Sequence, residues 1–270
     1  MNQPPATVRD AFRCEARLEF LAGGEGRTWR SGARVLKRVD SSEQAVWTSE
    51  VLARLWTPPS IVVPRPIAAS RGEWVVDGWT CQEYIDARRI PHRWTDIIDA
   101  GRVLHRCLAG VPRPAWMDRA DDWWRRGDAV AWEGRTAVGP VPYLALLDRL
   151  FALRRPVASA AQIVHGDLCG NVLFDATGRP VLIDFSPYFR PSEWANAVVA
   201  IDAFEWEGAG PQALHWLDDV ESSEQLLVRA AIFRIATSAE VAVVRGFDET
   251  QFSVHAATVA AVEGRCRHLS

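Results

Sequence analysis

The segment IVHGDLCGNVLFDATGRPVLIDF, residues 163–185, carries three side chains able to handle a metal and a proton: Asp167, Asn171 and Asp184. Magnesium takes one or two carboxylates together with substrate phosphates and keeps several waters. Asp184 with Asn171 supplies such a half-shell, and Asp167 is left free as a base. A fourth group is a cation far away in the chain. Lys37 is the single lysine among 270 residues that otherwise carry arginine, 30 times. Lysine meets phosphate as a compact point charge on a flexible stem, whereas arginine offers a planar fork. A chain that has discarded every other lysine singles out Lys37.

These groups need elements that bring them together. Residues 172–174 and 181–183 are short β-rich runs separated by the turn cluster DATGRP, so they should pair as a hairpin. Asn171 precedes the first strand and Asp184 follows the second, which puts both at the hairpin's open end with Asp167 just upstream. In ARVLKRV, residues 33–39, alternation places Ala33, Val35, Lys37 and Val39 on one strand face. An ammonium on an apolar face requires a partner.

The first third of the chain reads as strands. LEFLAGGEGRTWRSGARVLKRV breaks into short apolar segments at GGEG (residues 23–26) and at Ser31-Gly32, a hairpin-type turn. SSEQAVWTSEVLARLW has Trp47, Val51 and Leu55 four apart, a serine start and a TPP stop, and is predicted helical, with Glu43 and Glu50 on one face. PRPIAASRGEWVVDGWTCQEYI is predicted as three strands with a turn at Asp77-Gly78. DARRIPHR marks a crossing, after which TDIIDAGRVLHRCL, YLALLDRLFALRR and most of the chain from Ser192 onward are helical. The expectation is an α+β, two-lobed protein: residues 1–86 a small β-rich lobe with one helix, residues 87–270 a larger, mainly helical lobe.

Composition narrows the partners. Net charge is -3 with 24% charged residues, so there is no polybasic footprint for nucleic acid or an anionic membrane. No stretch approaches the roughly 20 apolar residues of a membrane span, and the first residues carry no apolar run. Five cysteines, at 14, 81, 107, 169 and 266, are scattered and lack any C-x-x-C pair. That pattern fits reduced thiols and a cytoplasmic location rather than a disulfide framework or a zinc site.

H-G-D-L followed by N, then I-D-F across a hairpin, resembles the aminoglycoside phosphotransferase and choline kinase branch of the protein-kinase-like superfamily, closest to its uncharacterised bacterial members. In that branch the arginine of the kinase H-R-D loop is commonly glycine and D-F-G commonly lacks its last glycine; here the segments are His165-Gly166-Asp167 and Asp184-Phe185-Ser186. The resemblance implies that Asp167 is the catalytic base, that Asn171 and Asp184 hold Mg2+, and that Lys37 pairs the phosphates of ATP. It implies an ion pair from Lys37 to a glutamate of the following helix, Glu50 or alternatively Glu43. Val35 would line the adenine pocket, GGEG would cover the phosphates, and the hinge 82–85 would bind adenine, with Glu83 and Ile85 singled out. This chain places three residues between Asp167 and Asn171, where protein kinases place four.

Asp202 is expected to anchor the catalytic loop's backbone, as in family members, and His165 to hold the loop structurally. Thirteen tryptophans are unusual; Trp123, Trp124, Trp194 and Trp206 fall where relatives bind the acceptor, with Asp118, Asp121, Asp122, Asp128, Glu205 and Glu207 nearby to attract a cationic one. The function expected is an ATP- and magnesium-dependent phosphotransferase acting on a hydroxyl of a small molecule such as an amino sugar or an aminoglycoside-like compound. The alternatives on the same fold are nucleotide binding without turnover and transfer of AMP. Sequence leaves the acceptor and the oligomeric state open.

Overall fold

A computed structural model describes residues 3–21 and 26–267 as a small sheet-bearing lobe followed by a larger helical one. The small lobe comprises helix α1 (Ala6–Ala11), strands β1 (Leu18–Phe20), β2 (Thr28–Ser31) and β3 (Arg34–Arg38), helix α2 (Ser42–Arg54) and strand β4 (Trp79–Glu83). The four strands form one antiparallel sheet in chain order. Residues 32 and 33 make the β2–β3 turn, one position later than Ser31-Gly32, and Gly32 takes φ +58°, where a side chain would be strained. Leu36 points into an apolar cluster with Val8, Phe12, Trp29, Trp79 and Cys81, so α1 covers that face of the sheet. Alternation then turns Val35 and Lys37 to the opposite face.

Helix α2 opens on Ser41, whose hydroxyl accepts the N–H of Gln44 at 3.2 Å. Its Leu52, and Leu55 just past its end, join the core of the large lobe together with Ile61. Residues 64–76 are not the two strands expected there. Prolines 64 and 66 lack the N–H a ladder needs, and only isolated bridges form, Pro66 to Gln82 and Val76 to Trp79. Asp77 and Gly78 do form a turn, at φ +49° and +77°.

After Glu83 the chain crosses to β5 (Ala87–Arg88), then α3 (Trp94–Leu108), α4 (Trp123–Trp132), α5 (Val141–Leu153), β6 (Gln162–His165), β7 (Val172–Asp175), β8 (Pro180–Leu182), β9 (Pro187–Arg190), α6 (Ser192–Trp206), α7 (Ser223–Arg245) and α8 (Glu249–Arg267). The hairpin read from sequence is β7–β8, with Val172 opposite Leu182. Ribbon β6–β9 and helix α4 were not anticipated. Helix α6 is buried at every position from Trp194 to Ala203 and forms the centre of the lobe with α7. Among the described residues no helix is long and apolar enough to cross a membrane.

Candidate active site

Two loops, 166–171 between β6 and β7 and 183–186 between β8 and β9, leave adjoining ends of the two ribbons, because His165 pairs with Pro187 and Val172 with Leu182. His165 ties them together from a fully buried position. Its Nδ1 accepts the backbone N–H of Asp167 at 3.3 Å and of Ser186 at 3.4 Å, so Nε2 carries the proton and donates to the Ile183 carbonyl at 3.1 Å. Burial holds its pKa below the ordinary value, which keeps the ring neutral as that acceptor role demands. His105 lies behind it, taking the His165 N–H on Nε2 at 3.1 Å, and burial pushes its pKa down to about 3. At Gly166 a side chain has no room: an added Cβ would come within 2.3 Å of Cδ2 of Tyr188.

Lys37 crosses from β3 to this platform. Its Nζ donates to Asp184 Oδ1 at 2.6 Å, joining residues 147 positions apart. Asp184 adopts φ +48°, uncommon for a residue with a side chain, and its carbonyl accepts the Ser186 hydroxyl at 3.2 Å. Asn171 folds back on Asp167, with Nδ2 donating to Oδ2 at 3.0 Å and to the Asp167 carbonyl at 2.7 Å. The loop shortened by one residue closes as a turn, Asn171 N–H to the Leu168 carbonyl at 3.0 Å with Gly170 at φ +85°. Among the described residues, Asn171 Oδ1 and Asp184 Oδ2 have no hydrogen-bond partner. Two such oxygens suit a hard cation like Mg2+, which needs few protein ligands.

The other oxygen of Asp167, Oδ1, accepts Arg234 at 2.9 Å. Arg234 comes from α7 and grips Asp202 with both Nε, at 2.7 Å, and a second nitrogen. Asp202 therefore supports the loop through an arginine side chain rather than by capping backbone N–H groups. Burial pushes its carboxyl up to about 7 against the pull of Arg234. Burial opposes the Arg234 charge, yet the two carboxylates together keep its pKa above the ordinary value. Sequence spacing held no signal for Arg234, since it lies on a helix 67 residues after Asp167.

The expected ion pair between Lys37 and α2 is not formed. Ala45, Ser49 and Leu52 make the buried face of α2, and at 100° per residue Glu43 and Glu50 fall on the side away from it. Glu50 is exposed, and Glu43 pairs with Arg119 at 2.7 Å. Asp184 takes the ammonium instead. Val35 is buried on the Lys37 side of β3. At the hinge, Glu83 gives its N–H to the Arg65 carbonyl and Tyr84 gives its own to Ala33, both at 2.9 Å. Ile85 alone of these has no backbone hydrogen bond among the described residues. Of GGEG, only Gly26 lies within the described residues.

The profile of the phosphotransferase enzyme family matches residues 18–189, from β1 to β9. The chain belongs to that family. No protein of curated function matches it in sequence. Among solved structures, this phosphotransferase is similar to an aminoglycoside phosphotransferase from Alicyclobacillus acidocaldarius (17% identity, 99% of this chain and 98% of that one, TM-score 0.60). It is also similar to a choline kinase from Streptococcus pneumoniae (13% identity, 92% and 93%, TM-score 0.56) and to an AMP-bound spectinomycin phosphotransferase (12% identity, 95% and 96%, TM-score 0.62). The protein-kinase-like, two-lobed α+β fold expected from sequence is the fold observed.

Beside Asp167 the phosphotransferase has a cavity of about 170 Å3 lined by Trp124, Cys169, Trp206, Glu207 and Arg234. The Arg234 guanidinium lies 5.6 Å from the Trp124 ring and 5.7 Å from the Trp206 ring. Glu207 accepts the Trp94 indole N–H at 2.9 Å and the Cys169 thiol at 3.3 Å. Burial pushes the Cys169 thiol up, so it serves as a donor and not a nucleophile. Trp194 is fully buried in the core, and Trp123 lies under Arg245. Of the six acidic residues near the tryptophans, only Glu207 reaches this cavity. Asp128 is bound to Arg190 and Glu205 to His255, and Asp122 caps α4.

Proposed function

We propose that this protein transfers the γ-phosphoryl group of ATP to a hydroxyl of a small molecule, with residues 1–86 as nucleotide-binding lobe and 87–270 as catalytic and acceptor-binding lobe. The observation that carries the reading is the 2.6 Å contact between Lys37 and Asp184, which joins the lysine read here as phosphate-binding to the carboxylate read as metal-binding. Asp167 orients the acceptor hydroxyl and takes its proton as oxygen attacks the γ-phosphorus. Lys37 neutralises phosphate charge, Val35 packs on adenine, and the free N–H of Ile85 meets its edge. Mg2+, when bound by Asn171 and Asp184, offsets the charge that develops on the phosphates. The similarity to an aminoglycoside phosphotransferase, a choline kinase and an AMP-bound spectinomycin phosphotransferase supports both the nucleotide and a hydroxyl acceptor.

The cavity of about 170 Å3 has room for roughly six waters at about 30 Å3 each. A single sugar ring lying against Trp124 and Trp206 matches that size, so the reading favours a compact acceptor or one ring of a larger one. The assay is ADP release with magnesium against amino sugars, aminoglycosides, choline-like amines and neutral sugars. Asp167→Ala should abolish turnover and leave ATP binding largely intact, while Lys37→Ala weakens binding itself. Equal loss of nucleotide affinity in both variants would refute these roles.

Nucleotide binding without turnover is the second reading. It is favoured by one observation: both oxygens of Asp167 already accept a hydrogen bond, from Arg234 and from Asn171, so an acceptor hydroxyl has to share an oxygen with one of them and meets a base weakened by that bond. Magnesium-dependent ADP formation that disappears in Asp167→Ala rules it out.

A further inference from the structure

The phosphotransfer chemistry makes no use of a series of side chains held between the last three helices. Ser238 on α7, His255 on α8 and Glu205 in the last turn of α6 stand in line. His255 Nε2 lies 2.9 Å from Ser238 Oγ, and its Nδ1 lies 2.8 Å from Glu205 Oε1. The side chains of His255 and Glu205 are fully buried, while Ser238 is partly exposed. An ionised carboxylate only accepts hydrogen bonds, so it fixes the ring proton on Nδ1 and leaves the Nε2 lone pair facing the serine hydroxyl. Thr258 donates to the same Glu205 oxygen at 2.7 Å, and the Tyr143 ring packs edge-on to the imidazole with centroids 5.9 Å apart. Both contacts hold the ring in that orientation.

We propose that Ser238 is an activated nucleophile, with His255 as its base and Glu205 as the group that orients His255, and that this second site hydrolyses small acyl esters. Such a series is recognised by geometry and roles, whatever the fold that carries it. Exposure runs in the required direction, since the base and the carboxylate are shielded from water and the hydroxyl reaches it. The oxyanion donor does not come from α7 around Ser238, because N–H groups inside a helix are spent on carbonyls four residues back. Gln251 supplies it. Its Nε2 lies 3.0 Å from His255 Nε2, the ring nitrogen that the serine also meets, and its Oε1 accepts the Trp206 indole N–H at 3.4 Å. The Trp206 ring is half exposed, stands 6.3 Å from the imidazole between centroids, and offers an apolar surface to the acyl chain.

In the first step Ser238 Oγ attacks the ester carbonyl carbon as its proton passes to His255 Nε2; a C–O bond forms and the carbonyl π electrons move onto oxygen. With Nε2 protonated, the Gln251 N–H loses its acceptor there and turns to the oxyanion. The tetrahedral intermediate collapses, the ester C–O bond breaks, and the leaving alkoxide takes the proton from Nε2 and departs as alcohol. Water repeats the sequence on the Ser238 ester: His255 takes its proton, its oxygen adds to the carbonyl carbon, and the acid leaves as Ser238 recovers its hydrogen. Nothing is oxidised or reduced, and ester plus water gives acid plus alcohol.

The test is reaction of the full chain with an alkyl fluorophosphonate, in which Ser238 Oγ displaces fluoride from phosphorus, followed by peptide mapping. Ser238 should carry the phosphonyl group, and p-nitrophenyl acetate should be hydrolysed at a rate that falls by about tenfold or more in Ser238→Ala. His255→Gln should slow the labelling by about 100-fold or more, the usual worth of a general base. Glu205 acts only through His255. In Glu205→Gln the new amide can donate to Nδ1, so the ring proton should move to Nε2, read by nitrogen NMR of the imidazole, and labelling should slow while circular dichroism stays unchanged. Mapping of the unsubstituted chain decides the matter whether or not the variants fold. The proposal is overturned if the probe leaves Ser238 unmodified, if folded His255→Gln is labelled as fast as the unsubstituted chain, or if Ser238→Ala hydrolyses the ester undiminished.

Discussion

Replacing Gly166 with alanine adds one methyl group at the point where the loop 166–171 passes Tyr188. That methyl would stand 2.3 Å from Cδ2, 2.7 Å from Cε2 and 3.1 Å from Cγ of the ring. Carbon atoms rest at about 3.5–4.0 Å, so the nearest contact is short by more than 1 Å. Tyr188 cannot yield easily, being 5% exposed and packed edge-on to Trp194 and Phe233 at 5.5 and 5.7 Å between ring centroids. The loop is equally held, through Gly166 N–H to the Ser186 carbonyl at 2.9 Å and the His165 bonds on either side. Overpacking of this kind costs about 1–3 kcal/mol, and the rigid surroundings put the estimate near the upper end. For a chain of this size, about 2–3 kcal/mol lowers Tm by roughly 5–10 °C. Urea denaturation of Gly166→Ala, alone and in a Tyr188→Ala background, measures it. In that background the ring atoms are gone and the added methyl should cost less than about 0.5 kcal/mol. An equal cost in both backgrounds would show that Tyr188 is not what excludes a side chain there.

Arg234→Met should destabilise by about 3–5 kcal/mol, since it leaves the buried Asp202 carboxylate unpaired, and adding Asp202→Asn should recover much of that loss in chemical denaturation. His105, with its folded pKa lowered to about 3 against 6.5, favours the folded state fully above pH 6.5 and loses that contribution as pH falls toward 3. At pH 5 the loss is about 2 kcal/mol, and thermal scans between pH 7 and 5 should show a flatter decline in His105→Gln. Glu50→Ala should leave ATP affinity unchanged in titration calorimetry, whereas Lys37→Met should weaken it by about tenfold or more, about 1.4 kcal/mol.

Much of the candidate site's geometry was readable because it depends on residue type and pairing at short range. The β7–β8 hairpin is announced by β-rich runs around DATGRP, and a hairpin necessarily brings the residue before it beside the residue after it. That is why Asn171 and Asp184 could be placed together, and alternation along β3 sufficed to put Lys37 and Val35 on a common face. The same local reasoning failed at residues 64–76, where apolar content suggested strands and the prolines removed the donors that strands require. It also failed at Glu43 and Glu50. A seven-residue spacing tells that two glutamates share a face of α2, but which face meets the sheet depends on what Leu52 and Leu55 find to pack against, and they find the large lobe.

By itself, then, the sequence determined the two-lobed plan, the β7–β8 hairpin and the residues with chemical potential, all of which follow from periodicity and turn chemistry within a few residues. The tertiary structure alone decided which charges meet: Asp184 rather than Glu50 for Lys37, and Arg234 between Asp167 and Asp202. Each of these pairs joins segments far apart in the chain. Their proximity is set by how helices and sheets bury apolar surface against one another, a property of the whole fold that no local pattern encodes.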